Sequence, residues 1–256
     1  MKDNSLKAAL QGGEMQLGCW LNLGAAGAAE LAGVTGFDWA LIDGEHGPWD
    51  IAAIQDQLRA LASVGQNAVV RVPVGEAWIL KQVLDIGATS VLVPMVDTAE
   101  QAAGVVAACR YPPAGIRGMG AAVARASLYG HEADYTARAN QRICVMVQAE
   151  SRAALDNLDA IAATEGVDVV FIGPSDLSAD MGFPGNPGAP EVVAAIEDAI
   201  GRIRAAGKVA GIFDFNTAQY PRYRELGVTF LAVAGDATVL RTGLAAAAAR
   251  AREALG

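Results

Sequence analysis

The 256-residue chain predicts an α/β protein whose strands close into a (β/α)8, TIM-type barrel. Three observations carry that expectation. Eight short apolar runs rich in β-branched residues recur near 17–22, 37–43, 68–72, 89–94, 143–149, 167–173, 208–213 and 228–234. Helical patterns separate them, and eight units in 256 residues leave 32 residues each, enough for a strand, a helix and their loops. The central runs, such as Val-Val-Phe-Ile-Gly (169–173), are apolar without alternation, as strands covered on both faces must be. A doubly wound open sheet usually has fewer strands and needs a reversal of strand order, so the count favours the barrel.

Taken in order, the runs end in polar residues. The first ends near Trp20 and Asn22, and the second in Asp43-Gly-Glu-His46-Gly-Pro48. An amphipathic helix over 50–62 leads to the third, which delivers Arg71 from within Val-Val-Arg-Val-Pro. The fourth ends in Pro94-Met95. A long irregular connection, 111–142, precedes the fifth, which brings Gln148 and Glu150. The sixth ends in Gly173-Pro174-Ser175-Asp176, and residues 181–190 are too rich in Pro and Gly for helix or strand. A helix over 191–206 leads to the seventh run, whose end reads Gly-Ile-Phe213-Asp-Phe-Asn. The Ala-rich segment 244–255 reads as a final helix. With no linker and no stronger repeat, residues 1–256 read as one domain. Long loops on a barrel usually serve the site or subunit contacts.

Composition excludes several classes. The net charge of −9 leaves no broad basic surface for nucleic acid or an anionic membrane. Cys19, Cys109 and Cys144 share no C-x-x-C spacing and sit among apolar residues, which points to reduced structural thiols and a cytoplasmic protein. The start lacks the apolar core of a signal peptide, and no apolar run approaches a membrane span.

In a barrel the chemistry sits at the carboxyl ends of the strands. Glu150 and Asp176 are 26 residues apart, about one helix plus one strand, which puts two acids in adjacent loops on one rim. Hard divalent cations such as Mg²⁺ use one or two carboxylates in such a place, with water and substrate completing the shell. Asp176 also suits a helix N-cap before Leu177. His46 fits a general acid or base, against a simpler reading as a loop residue before Pro48. His131 is the only other histidine, in the long loop with no assigned role, so a multi-histidine zinc site is excluded. Arg71 needs an anionic partner, either a carboxylate such as Asp43 or a bound anion. The stretch Gly115-Ile-Arg-Gly-Met-Gly120 matches neither a dinucleotide fingerprint nor a P-loop.

Five motifs resemble one family. Leu-Ile-Asp-Gly-Glu-His-Gly-Pro (41–48), Leu-Val-Pro-Met-Val (92–96), Arg-Tyr-Pro-Pro-Ala-Gly-Ile-Arg-Gly-Met-Gly (110–120), Val-Gln-Ala-Glu (147–150) and Phe-Ile-Gly-Pro-Ser-Asp-Leu-Ser (171–178) are similar to the class II metal-dependent pyruvate aldolases. This is the HpcH/HpaI aldolase family, which includes 4-hydroxy-2-oxoheptanedioate and 2-keto-3-deoxy-sugar-acid aldolases. The resemblance runs from about residue 5 to about 250. It implies Glu150 and Asp176 as ligands of Mg²⁺, Mn²⁺ or Co²⁺, Arg71 as the group that stabilises a pyruvate enolate, and His46 as the base. Gln148, Ser175 and the backbone near Gly173 and Pro174 would hold the keto acid, with Trp20, Asp176 and Phe213 also in contact with substrate. Asp85 of a neighbouring subunit, with Asp43, would tune His46. The substrates would be a 2-keto acid and an aldehyde, with oxaloacetate decarboxylation as a side activity. The family also implies a homohexamer whose last helix is exchanged between subunits. Phe213 and Asp214 depart from the Leu and small residues expected of heptanedioate enzymes.

A Schiff-base aldolase would need a lysine at a strand end, and Lys208 opens the seventh strand at the wrong end. The alternatives are a citrate- or malyl-CoA-type lyase, which would need positive charge for CoA, and a non-catalytic barrel used for binding.

Overall fold

The computed structural model describes residues 3–256. Its strands are β1 (Gln16–Leu21), β2 (Trp39–Asp43), β3 (Asn67–Arg71), β4 (Ser90–Val93), β5 (Cys144–Ala149), β6 (Val169–Ile172), β7 (Val209–Phe213) and β8 (Phe230–Gly235). All pair in parallel in chain order, and β8 pairs with β1 to close the barrel. The helices are α1 (Ser5–Gln11), α2 (Ala26–Gly33), α3 (Ile51–Ser63), α4 (Ala77–Asp85), α5 (Ala99–Cys109), α6 (Tyr135–Arg142), α7 (Arg152–Asp156), α8 (Leu158–Ala163), α9 (Pro174–Asp180), α10 (Pro190–Ala205), α11 (Tyr220–Leu226) and α12 (Asp236–Leu255). Each expected strand is present, with its bounds moved by at most two residues.

Strand parity divides the core in two. Trp39 and Leu41, Cys144 and Met146, Val169 and Phe171, and Phe230 and Ala232 point inward and pack together. Their neighbours Ala40, Ile42, Val145, Val147, Val170 and Ile172 point outward onto the helices. Leu6 and Leu10 of α1 join the inner cluster and seal the floor of the barrel. Gly18 faces the same interior; a Cβ there would lie 2.1 Å from the Trp39 ring, so glycine is what lets Trp39 stack on Phe230 at 4.0 Å.

The helices follow their sequence signals. Asp50 caps α3 by accepting from Ala52 and Ala53 N–H, and Ile54, Leu58 and Leu61 form its buried face. Pro190 begins α10, whose Val192, Ile196, Ala199, Ile200 and Ile203 are buried. Residues 181–189 form turns, as their composition requires.

Three elements differ from the sequence reading, one of them the final helix, which begins at Asp236 and not at 244. The 111–142 connection is not wholly irregular: it holds a 3-10 turn (Arg125–Ser127) and α6. The polar surface of α6 hides its periodicity, because its buried residues are only Tyr135, Ala139 and Arg142. The polar N-terminal stretch, which carries no strong periodicity, holds α1 with Asn4 as its cap.

The final helix α12 stands apart. It is twenty residues long, none of them buried, and Val239, Leu240 and Leu244 are 60%, 50% and 62% exposed. Among the described residues no helix is long and apolar enough to cross a membrane. The three cysteines are free and buried.

Candidate active site

The inward parity that builds the apolar core continues upward into polar residues. Above Trp39 and Leu41 stands Asp43, above Val69 stands Arg71, and above Cys144 and Met146 stand Gln148 and Glu150. The carboxyl rim therefore carries charge on a floor of packed side chains.

Asp43 organises one side of this rim and is only 2% exposed. Arg71 donates to it through two of its three guanidinium nitrogens, Nε to Oδ1 at 2.9 Å and Nη2 to Oδ2 at 2.7 Å. Trp20 Nε1 and Asn22 Nδ2 donate to Oδ2 at 3.1 and 2.6 Å. Glu45 and His46 N–H donate to Oδ1 at 3.0 and 3.3 Å. Burial alone would raise the Asp43 pKa, but the Arg71 hydrogen bonds and charge hold the carboxyl below its ordinary range. The third prong of Arg71 meets Glu45 at 2.6 Å, and its guanidinium lies 5.0 Å from the Trp20 ring centre. The two readings of Arg71 are thus compatible: it is ion-paired to Asp43 and also lines a cavity.

A tight turn brings His46 to the same cavity. A Cβ at Gly47 would lie 2.3 Å from the Asp43 carbonyl oxygen, so the turn closes only with glycine there. Asp43 contacts His46 through the backbone N–H.

Glu150 lies behind the cavity wall, 2% exposed. Its Oε1 accepts from Met95 N–H at 2.8 Å, and its Oε2 accepts from Gln148 Nε2. Met95 reaches Glu150 from a left-handed conformation, φ 54°, which costs a non-glycine residue about 1 kcal/mol. Burial first, then the neighbouring Asp176 and Glu45 charges, push the Glu150 pKa up to about 7. A Cβ at Gly173 would lie 2.3 Å from Glu150 Oε2, so this carboxylate occupies space that only glycine leaves open. Asp176 is the third residue of α9; the cap is Gly173, so the N-cap reading of Asp176 does not hold.

The cavity has a volume of about 320 Å³. Of the residues chosen from sequence, Trp20, Asp43, His46, Arg71, Gln148, Gly173, Pro174, Ser175, Asp176 and Phe213 line it. Asp85 does not. It ends α4, at the opposite rim, where it pairs with the fully buried Arg117 at 2.7 Å. Lys208 also lies away from the cavity, its Nζ bonded to the Thr164 and Val167 carbonyls. His131 is exposed in its loop.

Sequence reasoning placed Asn22 and Glu45 at strand ends without a role and left out Phe215, Thr238 and Asp236. Asp236 accepts from Asn22 and Leu23 N–H at 2.8 and 3.2 Å, which sets the first strand's end against the last helix. The available signals were position: Asn22 and Asp236 follow strand ends, and Phe215 repeats the parity of Phe213.

The rim suits a hard cation. Glu150 and Asp176 offer oxygen only, and the buried Gln148 Oε1 has no hydrogen-bond partner. The Asp176 and Glu45 charges that raise the proton affinity of Glu150 make the charge pattern a cation relieves. Among the described residues no third His, Cys, Asp or Glu converges on one point with them, so water and substrate would complete the shell.

Comparison with known proteins identifies the family. The profile of the HpcH/HpaI aldolase/citrate lyase family matches residues 16–242. The chain is 57% identical to a hydroxypyruvate/pyruvate aldolase of Agrobacterium fabrum over 97% of this chain and 93% of that protein. It is 52% identical to a 4-hydroxy-2-oxo-heptane-1,7-dioate aldolase of Salmonella dublin over 96% of this chain and 94% of that one. A crystal structure of an HpcH/HpaI aldolase/citrate lyase family protein from Burkholderia cenocepacia superposes with a TM-score of 0.93 at 39% identity, covering 97% of this chain and 99% of that chain. By this match and these relatives, the chain belongs to the HpcH/HpaI aldolase/citrate lyase family.

Proposed function

We propose that this chain is a class II aldolase that forms and cleaves 4-hydroxy-2-keto acids, with pyruvate or hydroxypyruvate as the donor and an aldehyde as the acceptor. The observation that carries the reading is the placement of the Asp43–Arg71 fork, His46 and Asp176 around one cavity with the buried Glu150 behind it. Glu150 and Asp176 would hold a divalent cation, Mg²⁺, Mn²⁺ or Co²⁺, which would supply Lewis-acid chemistry to a bound keto acid.

The chain's own groups do the rest. Arg71, fixed by Asp43 and Glu45, presents positive charge where the enolate oxygen develops, and needs no reorientation as the charge forms. Gln148 and Ser175 orient the keto acid, and Trp20 and Phe171 keep that end of the cavity dry. His46 takes a proton from C3 of the donor. C3 then bonds to the aldehyde carbon, and the proton passes to the aldehyde oxygen, so no net proton is gained or lost. Loss of CO₂ from oxaloacetate would give the same enolate, which is the basis for a decarboxylase side activity.

In the assembled protein, Asp85 of a neighbouring copy acts with Asp43 on His46, and α12 is exchanged between copies of a hexamer. The uncovered apolar residues of α12 support that arrangement. The chain acts as one domain in the cytoplasm. A CoA-ester lyase is not favoured: among the described residues lining the cavity, Arg71 and His46 are the basic ones, and Arg71 is already paired. The test is aldol addition of pyruvate and of hydroxypyruvate to glycolaldehyde, with and without chelator. Product that forms only with added cation supports the reading; product formed equally in chelator refutes its metal.

A further inference from the structure

The cavity at the barrel mouth adjoins a second one of about 340 Å³. Pro174, Ser175, Phe213 and Phe215 line both, so the two share a wall, as an inner and an outer lobe. The rings of Phe213 and Phe215 divide them, meeting edge to face at 4.8 Å. Arg71, His46 and Gln148 all belong to the inner lobe. The outer lobe runs beneath the loop after β7, between α10 and α11, where Val193, Ile196 and Tyr223 supply its apolar sides.

Its charge is one-sided. Two charged residues line it, Glu197 and Asp214, and both are acids. Glu197 is matched by Arg222, whose Nε and Nη2 each donate to it at 2.8 Å. Asp214 has no ion-pair partner among the described residues. Its Oδ2 accepts from the Tyr223 hydroxyl at 2.9 Å and its Oδ1 from Asn216 N–H at 2.7 Å. An anionic group entering this lobe would face Asp214 without a counter-cation, and like charges repel. Neutral hydroxyls would meet the Ser175 hydroxyl, the Gln219 amide and the Asp214 carboxylate, all able to bond them.

We infer that the outer lobe holds the tail of the acceptor aldehyde and selects uncharged, hydroxylated aldehydes over carboxylated ones, with Asp214 as the selecting residue. This rests on the aldolase reading above. A donor held against Arg71 takes the deep end of the inner lobe, which leaves the aldehyde carbon near Phe213 and its tail directed past Phe215.

The experiment measures kcat/KM with pyruvate and three acceptors: glycolaldehyde, D-erythrose and succinate semialdehyde. D-Erythrose should exceed succinate semialdehyde by at least about tenfold. Asp214→Asn keeps the shape and removes the charge, and should shrink that preference at least about fivefold. Val193→Phe, on a partly exposed face of α10, narrows the lobe and should lower D-erythrose about tenfold relative to glycolaldehyde. A wild-type preference for succinate semialdehyde, an unmoved ratio in Asp214→Asn, or an equal loss of both neutral aldehydes in Val193→Phe would each overturn the inference. Exchange of the pyruvate C3 protons by the unaltered enzyme needs no aldehyde. Its absence overturns the aldolase reading and the lobe with it, whereas its presence with unmoved ratios overturns the lobe alone.

Discussion

Glu150→Gln should make the metal-free protein more stable while removing its activity. Glu150 is 2% exposed, and burial with Asp176 and Glu45 nearby lifts its pKa from an ordinary 4.5 to about 7. The folded chain therefore holds a proton that the unfolded chain releases above about pH 4.5. The site's contribution to folding falls as pH rises from about 4.5 to about 7 and is flat above that. At about 1.4 kcal/mol for each tenfold change in proton affinity, the ionised carboxylate costs the metal-free fold about 3 kcal/mol at pH 8. An amide of the same shape avoids that cost. It keeps the acceptor for Met95 N–H, and Gln148, whose Oε1 has no partner, can turn over to accept from the new amide. The assay is thermal unfolding in chelator at pH 8 and pH 5. Glu150→Gln should melt about 5 °C or more above wild type at pH 8, with the gap shrinking toward zero at pH 5. Added Mg²⁺ or Mn²⁺ should raise the wild-type Tm and leave the variant unmoved. A variant no more stable than wild type at pH 8 would refute the reasoning, because Glu150 would then carry no unrelieved charge.

Gly173→Ala places a methyl 2.3 Å from Glu150 Oε2; kcat/KM should fall by at least about 100-fold while circular dichroism stays native, and retained activity would show that the carboxylate is free to move. Arg71→Ala strands the buried Asp43 charge and should cost about 3–5 kcal/mol in chemical denaturation, together with turnover. Arg71→Lys restores charge without the fork, so it should recover much of the stability and little of the rate. A chain lacking residues 238–256 should keep the barrel's circular dichroism and fall in mass by light scattering; an unchanged mass would remove α12 from the assembly.

The barrel was legible because its periodicities are strong. Eight apolar runs with a helix between each pair leave few topologies, and parity along each run predicts which residue tops the interior. Asp43, Arg71, Gln148 and Phe213 stand where that parity puts them. What the sequence hid lies in contacts between distant segments. Six groups on Asp43, Met95 reaching Glu150 from a left-handed turn, and Asp236 holding the end of β1 depend on where loops meet, and no local spacing encodes that. Capping of α9 by Gly173 was obscured because Asp176 is equally at home in a first helical turn. Asp85 marks the limit of a single chain: its partner here is Arg117, and any meeting with His46 requires a second copy.

The central claim is that this rim makes an enolate from a 2-keto acid, and proton exchange at C3 of pyruvate in D₂O, followed by NMR, tests it most directly. The unaltered chain with Mg²⁺ or Mn²⁺ should replace the methyl protons with deuterium without any aldehyde present. Chelator, Arg71→Ala and His46→Ala should each slow the exchange by at least about 100-fold. Exchange no faster than in buffer, or unaffected by all three, would contradict the account.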